Sequence, residues 1–280
     1  MRKLPLEEEV VGKIYARILE VPAMRGLCWD ITSPELIEGI MEEINRAMGD
    51  PDPFFSEKRE QNSKIMALYP VFERVVAESS DPFYTAVKLA IIGNAIDFMM
   101  SDNSDRIEDF IMESLEGPFP AKGYTAFAEQ VKRSKQILYL GDNSGEIVLD
   151  RLLIETMKAQ HGPEILFVVR SVPSLNDATR KEAAFVGMDK VATVVENGTA
   201  GPVPGTILKR CSEEIRERFQ EADLIISKGG GNFDSLEGEI KGLQQNITFM
   251  LLSKCYPYAR YFGVPEKQPI LANFFQKKGV

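Results

Sequence analysis

A short and mostly apolar run, Gln136-Ile137-Leu138-Tyr139-Leu140, is followed at once by the polar stretch Gly141-Asp142-Asn143-Ser144-Gly145-Glu146. A helical pattern then continues from Ile147 to Gln160. A continuous apolar run of this length is typical of a strand that is buried on both faces, as in a parallel sheet. The stretch therefore predicts a strand, a polar loop and a helix, which together form the repeating unit of an α/β fold.

Four further apolar runs follow along the chain and predict four more strands. They lie at residues 165–169, 191–195, 223–227 and 248–252. Short buried strands that alternate with helices indicate a parallel sheet covered by helices. The sequence therefore predicts an α/β domain over residues 134–280, which begins near Arg133-Ser134.

The first half of the chain shows helical periodicity instead. Apolar residues recur at helical spacing in several segments, for example from Leu6 to Ile18. Ser33-Pro34 predicts an N-cap followed by proline at the first helical position, and Asp81-Pro82 opens another helix. Since no convincing strand precedes residue 136, we predict an all-helical domain over residues 1–133.

Composition excludes several classes of function. The 280 residues carry 33 basic and 42 acidic side chains, which gives a formal charge of −9. We expect no nucleic-acid partner, because phosphate backbones attract cations rather than carboxylates. The single histidine, His161, and three scattered cysteines exclude centres that need two histidines or a Cys-x-x-Cys pair. His161 precedes Gly162-Pro163 and is explained as a cation at a helix C-terminus.

The sequence also indicates where the protein is found. No stretch has the apolar length of a membrane span, and the segment after Met1 lacks the apolar core of a signal peptide. Scattered, unpaired cysteines are typical of a reducing compartment. We therefore expect a cytoplasmic protein without a membrane partner, while its oligomeric state stays open.

Polar or flexible residues follow three of the predicted strands, at the edge where an open parallel sheet binds its ligands. They are Asp142, Asn143 and Glu146 after the first strand, Arg170 and Asp177 after the second, and Lys228, Gly229, Gly230, Gly231 and Asn232 after the fourth. We expect these groups to converge on one edge of the sheet. Oxygen ligands of this kind suit a hard cation such as Mg²⁺ or Mn²⁺.

Each of these segments also has a purely structural interpretation. Asp142-Asn143-Ser144-Gly145 is compatible with a polar turn that leads into a helix, and Asn176-Asp177 with a helix N-cap. Three glycines in a row are compatible with a tight turn, although such turns also point amides at anions. Arg170 fits either a residue that steers an anionic substrate or the partner of a surface carboxylate.

Four short blocks of the sequence, taken together, resemble a known family. They are Gly93-Asn94-Ala95-Ile96-Asp97, Gly141-Asp142-Asn143-Ser144-Gly145-Glu146, Asn176-Asp177-Ala178 and Lys228-Gly229-Gly230-Gly231-Asn232-Phe233. In this order they look like the signature blocks of the damage-control metal phosphatases, which include stand-alone archaeal and bacterial members. The resemblance implies a helical N-terminal domain packed on a Rossmann-like three-layer α/β domain with a mainly parallel sheet. It also implies a divalent-metal-dependent phosphatase of small phosphorylated metabolites, such as sugar phosphates or phosphopantetheine-like compounds.

Carried over by position, the resemblance assigns roles to particular residues. Asp142, Asn143 and Asp177 would be the ligands of Mn²⁺, Mg²⁺, Co²⁺ or Ni²⁺. Lys228 would lie on the phosphate side. Asn94 and Asp97, which share a helix face, would reach in from the helical domain or form an interdomain hydrogen bond.

A mechanism follows from these assignments, because phosphoryl transfer depends mainly on charge neutralisation and alignment. We expect Lys228 and the amides of Gly229–Gly231 to take phosphate oxygens that the metal leaves free. Glu146 is a candidate to orient a water molecule, and an aspartyl-phosphate route through Asp142 stays open. The competing hypotheses are an S-adenosylmethionine-dependent methyltransferase and a non-catalytic sensor of sugar phosphates or nucleotides. The oxygen-rich first loop and Arg170 at the second strand argue against the methyltransferase.

Overall fold

A computed structural model describes residues 6–96 and 106–276, and the part before the sheet is helical. Its helices are α1 (Glu8–Ile18), α2 (Ser33–Met48), α3 (Phe55–Glu78), α4 (Pro82–Gly93), α5 (Ile107–Glu116) and α6 (Ala121–Arg133). Asp81 caps α4 as predicted, since its side chain accepts the Tyr84 N–H. The predicted N-cap Ser33 is wrong by one residue. Thr32 caps α2, because Thr32 and Glu35 each accept the other's backbone N–H in a capping box.

Six strands form one sheet in the described part of the chain. They are β1 (Gln136–Leu140), β2 (Glu164–Val169), β3 (Thr193–Glu196), β4 (Leu224–Lys228), β5 (Ile247–Leu252) and β6 (Pro269–Phe274), in the order β3-β2-β1-β4-β5-β6. β1 to β5 are parallel, and β6 runs antiparallel to β5. The five predicted strands are confirmed, whereas β6 was not predicted.

Helices connect the strands and cover both faces of the sheet. They are α7 (Glu146–His161), α8 (Arg180–Phe185), α9 (Glu213–Glu221), α10 (Gly229–Leu236) and α11 (Tyr256–Phe262). His161 ends α7 directly before the left-handed Gly162, where a helix-terminal cation was predicted. Within the residues described, no helix combines the length and apolar character needed to cross a bilayer.

The core explains why the strands are continuous apolar runs. Ile137 and Tyr139 of β1 belong to a cluster that includes residues of α4 and α7. Leu138 and Leu140 belong to a second cluster, with residues of α9 and α10. Successive strand side chains point to opposite faces, so both faces of β1 are buried between helical layers. The mainly parallel, three-layer α/β architecture is thereby confirmed.

The helical part shares its core with the α/β part. Ile65 and Phe72 of α3 lie in the same cluster as Ile147 of α7. The predicted boundary at Arg133-Ser134 coincides with the end of α6, but apolar packing continues across it. The division into domains 1–133 and 134–280 therefore stays a prediction.

Candidate active site

Asp142, Asn143 and Asp177, the predicted metal ligands, lie at the carboxyl edge of the sheet, where β1 lies between β2 and β4. Asn143 forms an isolated antiparallel bridge with Asp177, and the Asp142 carbonyl accepts the Ala178 N–H at 2.8 Å. The Ser144 N–H donates to the Asn176 carbonyl at 2.9 Å. This short backbone ladder places the loops after β1 and β2 side by side, so Asp142, Asn143 and Asp177 converge.

Arg170 lies between the two aspartates. Its Nε donates to Asp177 Oδ2 at 2.6 Å, and its Nη2 lies 3.5 Å from Asp142 Oδ1. The alternative in which Arg170 pairs with a surface carboxylate is wrong, because Arg170 and Asp177 are each only 2% exposed. Further hydrogen bonds to Thr206 (3.2 Å) and Asn232 (3.1 Å) fix the guanidinium. Arg170 is therefore a stationary internal cation rather than a mobile group that meets substrate at the surface.

The electrostatics of this edge are dominated by buried negative charge. Burial raises the pKa of Asp142 well above its ordinary value, and the Asp177 and Glu146 carboxylates raise it further. Burial also raises the pKa of Asp177, although the Arg170 guanidinium opposes this effect. The positive charge of Arg170 therefore does not fully offset the effect of burial and of the neighbouring carboxylates. An additional cation near Asp142 and Asp177 would stabilise their ionised forms.

Glu146 begins α7 and is wholly buried behind Asp142. Asn94 Nδ2 donates to Glu146 Oε2 at 2.9 Å and lies 3.3 Å from Asp142 Oδ2. Asn94 Oδ1 accepts the Leu252 N–H at 3.2 Å, so this side chain links the end of α4 to β5. The predicted convergence of Asn94 with the loop after β1 is therefore present. Asp97 lies outside the described residues.

The Lys228 ammonium group is held by internal acceptors. Its Nζ donates to Glu146 Oε1 (2.6 Å), Asp150 Oδ1 (2.5 Å) and the Ala90 carbonyl (2.9 Å), and the side chain is wholly buried. An ammonium group has three donors, and all three have internal acceptors here. The contact between Lys228 and phosphate therefore stays a prediction. In this structure Lys228 holds the Glu146 carboxylate in place.

Asp150 is a member of this network that the motif comparison missed. It follows Glu146 by one helical turn on α7, and it accepts hydrogen bonds from Lys228 and from the Tyr139 hydroxyl at 2.7 Å. Burial raises its pKa to about 7, against the opposing charge of Lys228. The four-residue spacing from Glu146 was the available sequence signal, because such residues share one helix face.

The three glycines after β4 form the first turn of α10 rather than a separate loop. Gly229 has a φ of +73°, and a Cβ built on it would lie 1.7 Å from Asp142 Oδ2. A Cβ on Gly231 would lie 1.9 Å from the Pro204 carbonyl oxygen. Glycine is therefore required at Gly229 both by backbone conformation and by the close approach of Asp142.

Asn232 supports the site from within α10. Its Oδ1 accepts from Arg170 and from Thr206, while its Nδ2 donates to the carbonyls of Gly141 (3.0 Å) and Lys228 (2.8 Å). Both amide hydrogens are thus engaged inside the protein. The contact of Asn232 with substrate stays a prediction, and in this structure Asn232 orients Arg170.

The donor set fits a hard divalent cation in charge and chemistry. Within the described residues, no group of three histidine, cysteine, aspartate or glutamate side chains is arranged to hold a metal. Asp142, Asp177 and Asn143 nevertheless bring three oxygen-bearing side chains to one buried edge, where Asn143 Nδ2 donates to Asp142 Oδ2 at 3.0 Å. The hydrogen-bonded network contains four carboxylates (Asp142, Glu146, Asp150, Asp177) and two cations (Arg170, Lys228), so its net charge is −2 when all are ionised. A doubly charged ion would neutralise it.

The carboxyl edge of a parallel sheet is where such folds bind ligands, and the N-terminus of a helix at that edge suits a phosphate group. Residues 13–270 match the family model of the damage-control phosphatase ARMT1-like domain. The chain is 34% identical over 227 residues to the damage-control phosphatase PH1575 of Pyrococcus horikoshii, which covers 81% of this chain and 76% of the relative. It is 31% identical over 264 residues to a damage-control phosphatase of Archaeoglobus fulgidus, which covers 92% of this chain and 88% of the relative.

The fold agrees with these matches. The crystal structure of a DUF89 family protein, PH1575 from Pyrococcus horikoshii, superposes with a TM-score of 0.82 at 29% identity, over 95% of this chain and 90% of that one. The chain belongs to the ARMT1-like damage-control phosphatase family. The prediction of a damage-control phosphatase is confirmed, and the methyltransferase and sensor hypotheses are disfavoured.

Proposed function

We propose that the protein hydrolyses phosphomonoesters of small metabolites and that the activity depends on a divalent metal ion. The observation that carries the proposal is that Asp142, Asn143 and Asp177 meet at one buried edge, in a network where four carboxyl groups face two basic side chains. Mn²⁺, Mg²⁺, Co²⁺ and Ni²⁺ are the candidates for that ion, because all accept oxygen ligands. When bound, it supplies positive charge to the phosphate group and acidifies a coordinated water.

The residues of this chain have distinct roles in that reaction. Asp142, Asn143 and Asp177 hold the ion, and Arg170 keeps the two aspartates in place. The N–H groups of Gly229, Gly230 and Gly231 have no intrahelical acceptor in the first turn of α10, so they are free to donate to phosphate oxygens. These amides neutralise charge as it develops on the phosphate.

Glu146 accepts the proton of the attacking water in this scheme. Asn94 orients its Oε2, and Lys228 holds its Oε1 at 2.6 Å. These two contacts fix the orientation of the carboxylate, and a fixed orientation is what a general base requires. Lys228 thus acts on the reaction through Glu146.

The substrates belong to the small phosphorylated metabolites, with sugar phosphates and phosphopantetheine-like compounds as the two classes to compare. The cytoplasm is the proposed compartment. Cys28, Cys211 and Cys255 are unpaired in the structure, which is typical of a reducing environment.

The experiment that tests the proposal combines metal removal with two substitutions. Dialysis against a chelator is expected to abolish hydrolysis of a generic phosphomonoester, and Mn²⁺, Mg²⁺, Co²⁺ or Ni²⁺ is expected to restore it. Asp142→Asn and Asp177→Asn should lower kcat by at least 100-fold, since loss of a ligand removes several kcal/mol of transition-state stabilisation. The same variants should bind Mn²⁺ more weakly in calorimetry, which reports on the site independently of activity.

A matched control is Asp189→Asn, because Asp189 is exposed in the short 3₁₀ turn Met188–Lys190. This variant should keep wild-type rates and metal affinity. Full activity in chelator would contradict the metal requirement, and wild-type kcat in both aspartate variants would contradict the proposed ligands.

A further inference from the structure

Leu175, two residues before the candidate metal ligand Asp177, has a left-handed backbone conformation. Its φ is +47°, and Lys267 is the only other non-glycine residue with a positive φ in the described part of the chain. A bulky side chain is disfavoured in this conformation, because its Cβ comes close to the following carbonyl oxygen. Such a conformation persists only where the surrounding contacts hold it in place, and such residues are concentrated at functional sites.

The backbone around Leu175 forms a turn that carries Asp177. The Asp177 N–H donates to the Ser174 carbonyl at 3.0 Å, which closes the turn with Leu175 at its second position. The Asn176 carbonyl accepts the Ser144 N–H at 2.9 Å, so the turn is also joined to the loop after β1. A positive φ at the second position of a turn is characteristic of glycine, asparagine and aspartate. A leucine therefore has to be stabilised there by what its side chain contacts.

The Leu175 side chain packs against an apolar cluster between α1 and α2. The buried members of this α1–α2 cluster are Ile14, Ile18, Met41 and Ile44. Among the residues described, Leu175 is the one member of the cluster that comes from the α/β part. The left-handed turn and the α1–α2 cluster are thus connected through this side chain.

Polar contacts hold α2 against the α/β part, so the cluster is a fixed anchor. Ser33 at the start of α2 donates a hydrogen bond to Asp234 of α10. Arg210 binds Glu38 of α2 with two nitrogens, and its Nη1 donates to Glu38 Oε2 at 2.7 Å. A paired, two-point contact of this kind fixes orientation as well as distance.

We propose that Leu175 is a positioning residue for Asp177, and that its contact with the α1–α2 cluster holds the turn that aims this carboxylate at the candidate metal site. The apolar contact offsets the unfavourable backbone conformation. The inference rests on the proposed function, because it makes metal affinity depend on a side chain that has no metal-binding atom.

The test compares three substitutions of Leu175 by calorimetric titration with Mn²⁺. Leu175→Gly relieves the backbone but removes the anchor, and Leu175→Asn suits the left-handed turn but places a polar group against the cluster. Leu175→Met keeps an apolar anchor. The dissociation constant for Mn²⁺ should rise by about 10-fold or more in the glycine and asparagine variants, as for other residues that orient a metal ligand. In Leu175→Met it should stay close to the wild-type value.

Activity supplies a second readout. The Mn²⁺ concentration for half-maximal hydrolysis of 1-naphthyl phosphate should rise in the same two variants, while kcat at saturating Mn²⁺ stays close to the wild-type value, because Asp177 itself is present. Met48→Asn is the matched control, since Met48 ends α2 and is half-buried at the edge of the same cluster. This variant should lose unfolding free energy but keep the wild-type affinity for Mn²⁺.

Three results would overturn the inference. One is wild-type or tighter Mn²⁺ binding by Leu175→Gly, since relief of the backbone would then outweigh the anchor. Another is an equal loss of affinity in Leu175→Met and Leu175→Gly. The third is a loss in Met48→Asn as large as that in Leu175→Asn, because general loosening of the cluster would then explain both.

Hydrogen exchange in the metal-free protein separates this inference from the proposed function. The N–H groups of Asp177 and Ala178, which donate at 3.0 Å and 2.8 Å, should exchange about 10-fold faster in Leu175→Gly and at the wild-type rate in Leu175→Met. If the wild type binds no Mn²⁺ and hydrolyses no ester, the phosphatase proposal fails. Wild-type exchange rates in Leu175→Gly would refute the positioning role of Leu175 whatever the metal result.

Discussion

Gly229→Ala is expected to inactivate the enzyme by displacing one carboxylate. The new Cβ would stand 1.7 Å from Asp142 Oδ2, whereas real Cβ atoms essentially never approach a neighbour closer than 3.0 Å. The carboxylate oxygen must therefore move by at least 3.0 − 1.7 = 1.3 Å. Because Asp142 is buried, this movement takes it out of the geometry that it shares with Asp177 and Asn143.

The magnitude has two separable parts. Gly229 has a φ of +73°, and an alanine in this region costs about 1–2 kcal/mol of stability. The displacement adds a loss of catalysis, since a misplacement of about 1 Å at a catalytic group lowers the rate by about 100-fold. We therefore expect kcat to fall by about 100-fold or more.

The matched control is Gly263→Ala, which isolates the backbone cost. Gly263 ends α11 with a φ of +66°, and a Cβ there meets nothing within 4 Å. In urea titrations both variants should show the loss of unfolding free energy that comes from the backbone conformation. Gly229→Ala should show an additional loss, because its new Cβ clashes with Asp142. Steady-state hydrolysis of 1-naphthyl phosphate should be normal in Gly263→Ala. A Gly229→Ala enzyme with more than half of the wild-type kcat would refute the assignment of Asp142 to the reaction.

Two further variants address the buried charges behind Asp142. Lys228→Met leaves Glu146 and Asp150 without their shared cation. The unfolding free energy measured in denaturant titrations should therefore fall by about 3–5 kcal/mol. A loss below about 1 kcal/mol would contradict the ion-pair geometry. Asp150 has its pKa raised to about 7 from the ordinary 3.8, so between these values the folded state binds more protons than the unfolded state. Its contribution to stability is therefore lost as the pH rises through this window, so the unfolding free energy of the wild type should fall between pH 4 and pH 7. In Asp150→Asn this fall should be smaller than in the wild type, because the titrating group is gone. Parallel pH profiles for wild type and Asp150→Asn would argue against a protonated Asp150.

The sheet and the candidate site at its carboxyl edge were predictable because their signals are local. Each of the first five strands is a short apolar run, and double burial alone explains such a run. β6 is an edge strand that begins at Pro269 and is only half-buried over most of its length, so its sequence lacks that signature. The position of Asp142, Asn143 and Asp177 followed from strand ends in the same way.

The roles of the two basic residues were not predictable, because tertiary contacts decide them. Arg170 follows β2 and Lys228 ends β4, which places both near the edge but leaves the direction of each side chain open. The loop that carries Asp177 folds back onto β1, and this brings a carboxylate to Arg170. The helical turn from Glu146 to Asp150 likewise places two carboxylates within hydrogen-bond distance of Lys228. Both cations are thereby turned inward.

The helical part of the chain is itself a component of the site. Asn62 of α3 accepts the Gly145 N–H at 2.7 Å, and Gly145 has a φ of +78° in the loop that carries Asp142 and Asn143. Asn94 of α4 orients Glu146, and the Ala90 carbonyl accepts from Lys228. Buried polar groups need their partners, so separating the helices from the sheet would leave Gly145, Glu146 and Lys228 each without a hydrogen-bond partner. We infer that the α/β part cannot form this active site without the helical part, which explains how the signature residues come from both halves of the chain.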